Sequence, residues 1–288
     1  MSEIAGKQLE LARHYASIGQ PQRVLEALDG ADDFEEPESW SLRGEALYHL
    51  DRYSEGAAAA RRGLELEPEH MELLDVLALN LIELGELEEA EEALLSALEL
   101  APDHPTLLCH YALACVHGGG HTKARRLVDR AAGLDPESIG VLRTRAQVAY
   151  LSGETKNAKQ YTDDLLDVEP EDRTGHLLRG NLLVDGDNVH RAVRHFEEAA
   201  RLDPTDADTA RVARHNKTLT HWLQWPVYPI QRFGPLKVWG VYLGLLVVTS
   251  ATGLWYIAAP LLFLYLFMIV YSWTIAPLAC WWMQRRIR

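Results

Sequence analysis

The sequence predicts an all-α chain, a stacked array of helical hairpins followed by two transmembrane helices. Three observations carry that prediction. Five prolines, Pro68, Pro102, Pro136, Pro170 and Pro204, recur at one constant interval, each number 34 above the last, the signature of a repeated helix–turn–helix unit. An interval of 46 residues from Val238 to Met283 holds no charged side chain, which is more than one membrane span requires. All 42 acidic residues lie at or before Asp208, so the repeats are acidic and the segment after them is basic.

The residues around the prolines repeat with them. Leu-Glu-Leu-Glu precedes Pro68 and Leu-Glu-Leu-Ala precedes Pro102, then Leu-Asp, Val-Glu and Leu-Asp precede the next three. Proline cannot continue a helix and disfavours helical geometry in the residue before it, so each marks the end of one hairpin. Gly85, Gly119 and Gly153 share one position ahead of the middle prolines, halfway back along the repeat, and Ala90, Ala124, Ala158 and Ala192 share another a little later in it. Glycine ends the first helix in a left-handed turn, and a small residue early in the second lets the pair approach closely.

This pattern resembles the tetratricopeptide repeat family. Trp40, Gly44, Leu47 and Pro68 fit its first repeat, and Ala192, Phe196, Ala199 and Pro204 its last. The resemblance implies a right-handed helical-repeat solenoid of five repeats at 37–70, 71–104, 105–138, 139–172 and 173–206. Gly56 and Gly63 stand where the family places alanines, and His176 where it places a large apolar residue. Ala12, Tyr15, Gly19 and Leu28 follow similar spacing, so residues 1–36 read as a degenerate first hairpin.

In this family the first helix of each hairpin lines the concave face. Projection onto this chain gives a partner-binding groove of Glu38, Ser41, Glu45, Tyr48 and His49, then Glu72, Asp75, Leu79, Ile82 and Glu83. Cys109, Leu113, Val116 and His117 follow, then Arg143, Gln147, Tyr150 and Leu151, then Leu177, Asn181, Val184 and Asp185. The early groove is acidic and the later groove apolar. The lysine, arginine and asparagine clamp with which relatives hold chaperone tails is missing, which argues against that partner. Acidic and apolar stretches together favour a basic or amphipathic protein segment, because opposite charge speeds encounter and apolar burial supplies affinity.

The carboxyl-terminal part divides into 207–225, 226–237, 238–284 and 285–288. The first reads as a capping helix or as a helix resting on a membrane surface, the second as a connector stiffened by Pro226, Pro229 and Pro235, and the last as a basic cytoplasmic tail. Spans are expected from Val238 to Thr252 or slightly beyond, and from Pro260 or Leu261 to Trp282, with Pro277 kinking the second. Trp225, Arg232, Lys237, Trp239, Trp281, Trp282, Arg285 and Arg286 are the expected interface anchors. The segment 1–208 combines the 42 acids with all but eight of the 28 basic side chains for a formal charge of −22, and everything after Asp208 carries +8. Basic flanks on both sides predict an integral protein with both termini cytoplasmic, and the compositional style favours a bacterial inner membrane. Gly240 and Gly244 provide Gly-x-x-x-Gly spacing for close helix packing, either within the hairpin, in a homo-oligomer, or against another membrane subunit.

Chemistry is not expected. His117, Gly118, Gly119, Gly120 and His121 fall at a turn inside a repeat, no phosphate-loop lysine follows, and two histidines underfill a metal site. Cys109, Cys115 and Cys280 form no Cys-x-x-Cys pair. The repeats lack the basic stripe that nucleic acid requires. The expected function, with no cofactor, is a membrane-anchored scaffold that binds a protein partner at the cytoplasmic face. An accessory subunit or assembly factor of a membrane complex, with the hairpin making the specific contacts, is the alternative.

Overall fold

The computed structural model describes residues 2–29, 36–186, 188–204, 206–219, 235–253 and 255–271. Among them the chain is helical with no strand, an all-α helical-repeat solenoid of the predicted kind. It divides into two compact units, Met1–Glu169 and Pro170–Arg288.

The first unit contains α1 (Ser2–Ser17), α2 (Pro21–Ala27), α3 (Pro37–His49), α4 (Tyr53–Leu66), α5 (Met71–Leu84), α6 (Leu87–Leu100), α7 (Pro105–His117), α8 (His121–Leu134), α9 (Ile139–Leu151) and α10 (Thr155–Val168). One hydrogen bond punctuates every hairpin. The amides of Arg52, Glu86, Gly120 and Glu154 reach back to the carbonyls of Leu47, Leu81, Cys115 and Ala149, at 2.7–2.9 Å. This closure needs a left-handed residue just before the donor. Gly85, Gly119 and Gly153 supply it with φ of 78°, 79° and 73°, and in the first full repeat Asp51 supplies it with φ of 58°. The hairpin α1–α2 closes likewise, from the Gln20 amide to the Tyr15 carbonyl at 2.9 Å, with Gly19 left-handed.

Each hairpin packs its two helices together, and within this unit α2, α4, α6 and α8 pack against α3, α5, α7 and α9. Ala60, Leu73, Leu77, Leu81, Ala90, Leu94, Ala97 and Leu107 form one continuous buried cluster through α4 to α7, and Leu108, Ala112, Ala124, Val128, Ala131 and Val141 continue it through α7 to α9. Each fully buried leucine here contributes on the order of 1.5–3 kcal/mol. First helices also pack on one another, as in α1 with α3, α3 with α5, α5 with α7 and α7 with α9, whereas consecutive second helices share no comparable packing. The array of this unit therefore curves toward its first helices, which form the inner face.

The second unit contains α11 (Arg173–Asp185), α12 (Val189–Leu202), α13 (Ala207–Leu219), α14 (Pro235–Ala251) and α15 (Trp255–Val270). Asp172, buried, caps α11 by accepting the Gly175 amide at 2.6 Å. Asp206 caps α13 through the Thr209 amide at 3.0 Å and also holds Arg173 of α11. Ala213 of α13 closes over Ala192 and Phe196 of α12, so this helix covers the last repeat.

The membrane localisation expected from the sequence is overturned. Among the described residues no helix is long and apolar enough to cross a membrane. With 17 residues in α14 and 16 in α15, each is about 25 Å long at 1.5 Å per residue, against roughly 30 Å of hydrocarbon. The turn falls at Thr252 and Gly253, φ 74°, and the second helix begins at Trp255 with Pro260 inside it. The assignment of two spans with cytoplasmic termini in a bacterial inner membrane falls with this finding. Of the expected anchors, Lys237 is exposed on α14, and Trp239 meets Tyr265 of α15 edge-on with ring centroids 5.2 Å apart, a contact between helices. Trp225, Arg232, Pro277, Trp281, Trp282, Arg285 and Arg286 lie outside the described residues. Gly240 and Gly244 are exposed, and a Cβ added to either would touch nothing, so α15 does not use their smooth strip.

Candidate partner-binding groove

The inner face of the first unit is built by α3, α5, α7 and α9. Its residues recur with the period of the prolines, so each helix offers the same register positions to the same side. Tyr48, Asp75, Leu79, Leu113, Arg143, Gln147 and Tyr150 are half-buried there, and Glu45, Glu72 and Glu83 are exposed. Ile82 is only 8% exposed and belongs to the core instead. Cys109 is buried too, and burial pushes its thiol up to about 11 against an opposing hydrogen bond with Thr144. In the second unit, α11 carries Leu177 and Asn181 half-buried at the same register, with Leu177 packed on the Phe196 cluster.

The acidic end of this face is internally partnered. Glu38 takes the guanidinium of Arg13 from α1 at 2.5 Å, which holds its carboxyl below the usual carboxylate range. Asp75 accepts the imidazole Nδ1–H of His110 on the neighbouring α7 at 2.6 Å, with both side chains 19% exposed. Glu72 lies 3.3 Å from His70, and Glu45 lies 3.9 Å from His49 one turn away. Tyr48 packs beside Tyr53 with ring centroids 5.7 Å apart, and burial first, then the charges of Glu83 and Asp51, push its hydroxyl up to about 12. Arg13, His70 and His110 are the residues that sequence reasoning missed. Asp75 and His110 are separated by one repeat plus one position, and Cys109 and Thr144 share that offset. A search for complementary pairs at this spacing finds both.

Among the described residues no group of three or more histidines, cysteines or acids is placed to hold a metal. His117 and His121 flank a turn in which the Gly118 amide bonds the Ala114 carbonyl at 3.0 Å and Gly119 is left-handed. A recess lined by Val128, Arg145, Val148 and Tyr161, with room for about one water molecule at ≈ 10 Å³, lies between α8, α9 and α10. There Arg145 stacks over Tyr161, 4.1 Å from the ring centroid, a contact that joins neighbouring helices.

A family model described as "Tetratricopeptide repeat" matches residues 76–139 and 143–207. Over those two segments the hairpins match the tetratricopeptide repeat. The fold is similar to that of a thermophilic TPR protein of Thermus thermophilus, at TM-score 0.58 and 20% identity, covering 63% of this chain and 98% of that one. PilW, a type IV pilus biogenesis factor, is similar at TM-score 0.55 and 16% identity over 73% of this chain and 98% of its own. The Cut9–Hcn1 hetero-tetramer of the APC/C contains a chain similar at TM-score 0.59 and 13% identity, covering 74% of this chain and 42% of that one. No curated protein matches the sequence.

The departures from the tetratricopeptide pattern have local causes. A Cβ on Gly56 would stand 2.1 Å from Oδ1 of Asn80, because the buried Asn80 amide of α5 fills the notch where an alanine methyl would sit. At Gly63 the side chains of Leu73 and Trp40 occupy the same kind of notch, 2.6 and 2.9 Å from such a Cβ. His176 meets His195 of α12, with Nδ1 atoms 3.0 Å apart, while its Nε2–H donates to the Pro170 carbonyl at 2.9 Å. Two imidazoles thus replace an apolar contact between the helices of the fifth repeat.

Proposed function

We propose that this chain is a protein-interaction scaffold that holds a basic or amphipathic segment of a partner against the inner face of its tetratricopeptide repeats. One observation supports the reading: α3, α5, α7 and α9 pack side by side, and these helices carry Tyr48, Leu79, Leu113, Gln147 and Tyr150 half-buried along with Glu45, Glu72, Asp75 and Arg143. Half-buried aromatic and aliphatic groups bind at low entropic cost, and flanking charge selects the partner. The segments expected to carry the contact are 37–70, 71–104, 105–138 and the α9 part of 139–172. Capture experiments with the full chain test this. Glu45→Lys with Asp75→Lys is expected to lose the partner at least tenfold while helix content by circular dichroism stays unchanged, and equal recovery by both chains refutes the reading.

An accessory-subunit role rests on a different observation. Helices α14 and α15 expose Val241 at 65%, Val247 and Val248 at 59% and Phe263 at 74%. Apolar surface of that extent marks an interaction site. Val241→Ser with Phe263→Ser would release a partner held there and leave one held by the repeats.

A further inference from the structure

We propose that the groove is pH-gated, with His49, His70 and His110 acting as internal counter-ions that displace a basic partner when they gain a proton. The proposal rests on the reading of the groove given above. Histidine is the side chain whose ordinary charge change falls between pH 5 and 8, and here three histidines stand beside three groove acids, Glu45, Glu72 and Asp75, at 3.9, 3.3 and 2.6 Å. A neutral imidazole leaves its carboxylate's charge in place, available to a lysine or arginine of a bound segment. An imidazolium cancels that charge from within and presents a cation to the incoming one.

The surroundings set the direction of the switch. His110 on α7 faces Asp75 on α5. Glu91 of α6 and Lys123 of α8 satisfy each other at 2.6 Å beside the Tyr111 hydroxyl. His70 faces Glu72 and lies near Glu38, whose charge Arg13 of α1 already takes. Its Nδ1 also accepts the Leu73 amide at 3.4 Å, a bond available only to the unprotonated ring. His49 faces Glu45 and the Tyr48 ring, and the charges of Glu83 on α5 and of Asp51 act on Tyr48. Arg52 and Glu55 of the neighbouring turn pair with each other at 2.6–2.8 Å. At all three sites the charged group facing the imidazole is a carboxylate, and a basic segment bound in the groove competes with the ring proton for it. Binding of a cationic segment must therefore release protons, and by the same linkage protons weaken its binding.

The test uses the full chain and a synthetic amphipathic helical peptide with leucines on one face and lysines on the other, with a glutamate-faced peptide as control. Isothermal titration at pH 7.5 and 5.5 and equal ionic strength is expected to show the lysine peptide binding about tenfold or more tightly at pH 7.5, with proton release. The lysines keep their charge over this range, so the difference belongs to the protein. His49→Gln, His70→Gln and His110→Gln together are expected to remove the pH dependence, and the exposed His49→Gln alone, which leaves the core untouched, to reduce it. Equal affinity of the unmodified chain at both pH values overturns the gate while leaving the groove reading intact. No binding at either pH, or binding unaffected by Asp75→Lys, overturns both.

Discussion

The second and fifth repeats share a period and a closing hydrogen bond, from the Glu86 amide to the Leu81 carbonyl and from the Asn188 amide to the Leu183 carbonyl, but differ in how their helices cohere. In the second, Leu74, Leu77, Ala93, Leu94 and Ala97 interdigitate in a cluster that runs on into its neighbours. In the fifth, Phe196 is buried against the bare backbone of Gly180, whose missing Cβ would lie 2.5 Å from the ring. That hairpin also buries Leu178, Leu182, Ala192, Val193 and Ala199, and polar pairs are added to the burial, His176 with His195 between its helices and Arg173 with Asp203 and Asp206. The difference shows that a repeat array can keep its spacing while one unit adds directional contacts to its burial, and such contacts tolerate less displacement.

Deleting the one large anchor gives the largest effect. Phe196→Ala should cost the second unit about 3–5 kcal/mol and leave hydrogen-exchange protection of α5 to α8 unchanged. Equal loss in both units would mean that they unfold together. Next comes the notch in the first unit. Gly56→Ala should cost about 1–3 kcal/mol by overpacking against Asn80, and Asn80→Ala in the same chain should recover most of that loss in a double-mutant cycle followed by urea unfolding. A smaller gain, on the order of 1 kcal/mol, is expected where the fifth repeat is made to resemble the second. His176→Leu and His195→Leu together should raise its midpoint by more than the sum of the single changes, each of which strands a ring nitrogen. The smallest effect belongs to the turn. Asp51→Gly relieves a left-handed non-glycine residue and should stabilise by about 0.5–1 kcal/mol in thermal melts, less if the Tyr53 hydroxyl's 2.7 Å bond to the Asp51 carboxylate is worth keeping.

What the sequence disclosed was periodic, and what it hid was pairwise. Proline and glycine act on their own backbone, so Pro68 to Pro204 and Gly85 to Gly153 marked the hairpins without any knowledge of neighbours. Asp51 was legible by the same arithmetic, since it stands one full period before Gly85. Gly56 looked like a defect because its partner, Asn80, lies in the next repeat. The groove positions were projected from the family resemblance, and neither the burial of Ile82 and Cys109 nor the state of the acids could be read from it. Arg13 belongs to a hairpin that falls out of register, because its closing donor Gln20 stands two positions nearer to Arg52 than a full period would place it. It therefore lay outside the spacing used to project the face. The carboxyl-terminal helices failed for another reason. Apolar composition from Val238 to Met283 described solvent preference and the turn at Gly253 fell where the first span was expected to end, but composition does not fix helix length, and the described helices Pro235–Ala251 and Trp255–Val270 are each too short to cross.

The Asn80 amide seated over Gly56 also gives the array an address. At the corresponding places the chain carries Ala90 ahead of Ala114 and Ala124 ahead of Val148, none of which leaves room for an amide. The second hairpin therefore fits behind the first alone, like a key cut for one lock in a row of similar ones. Units of near-identical length that could be transposed during folding are instead ordered, at the cost of one buried carbonyl oxygen without a partner among the described residues.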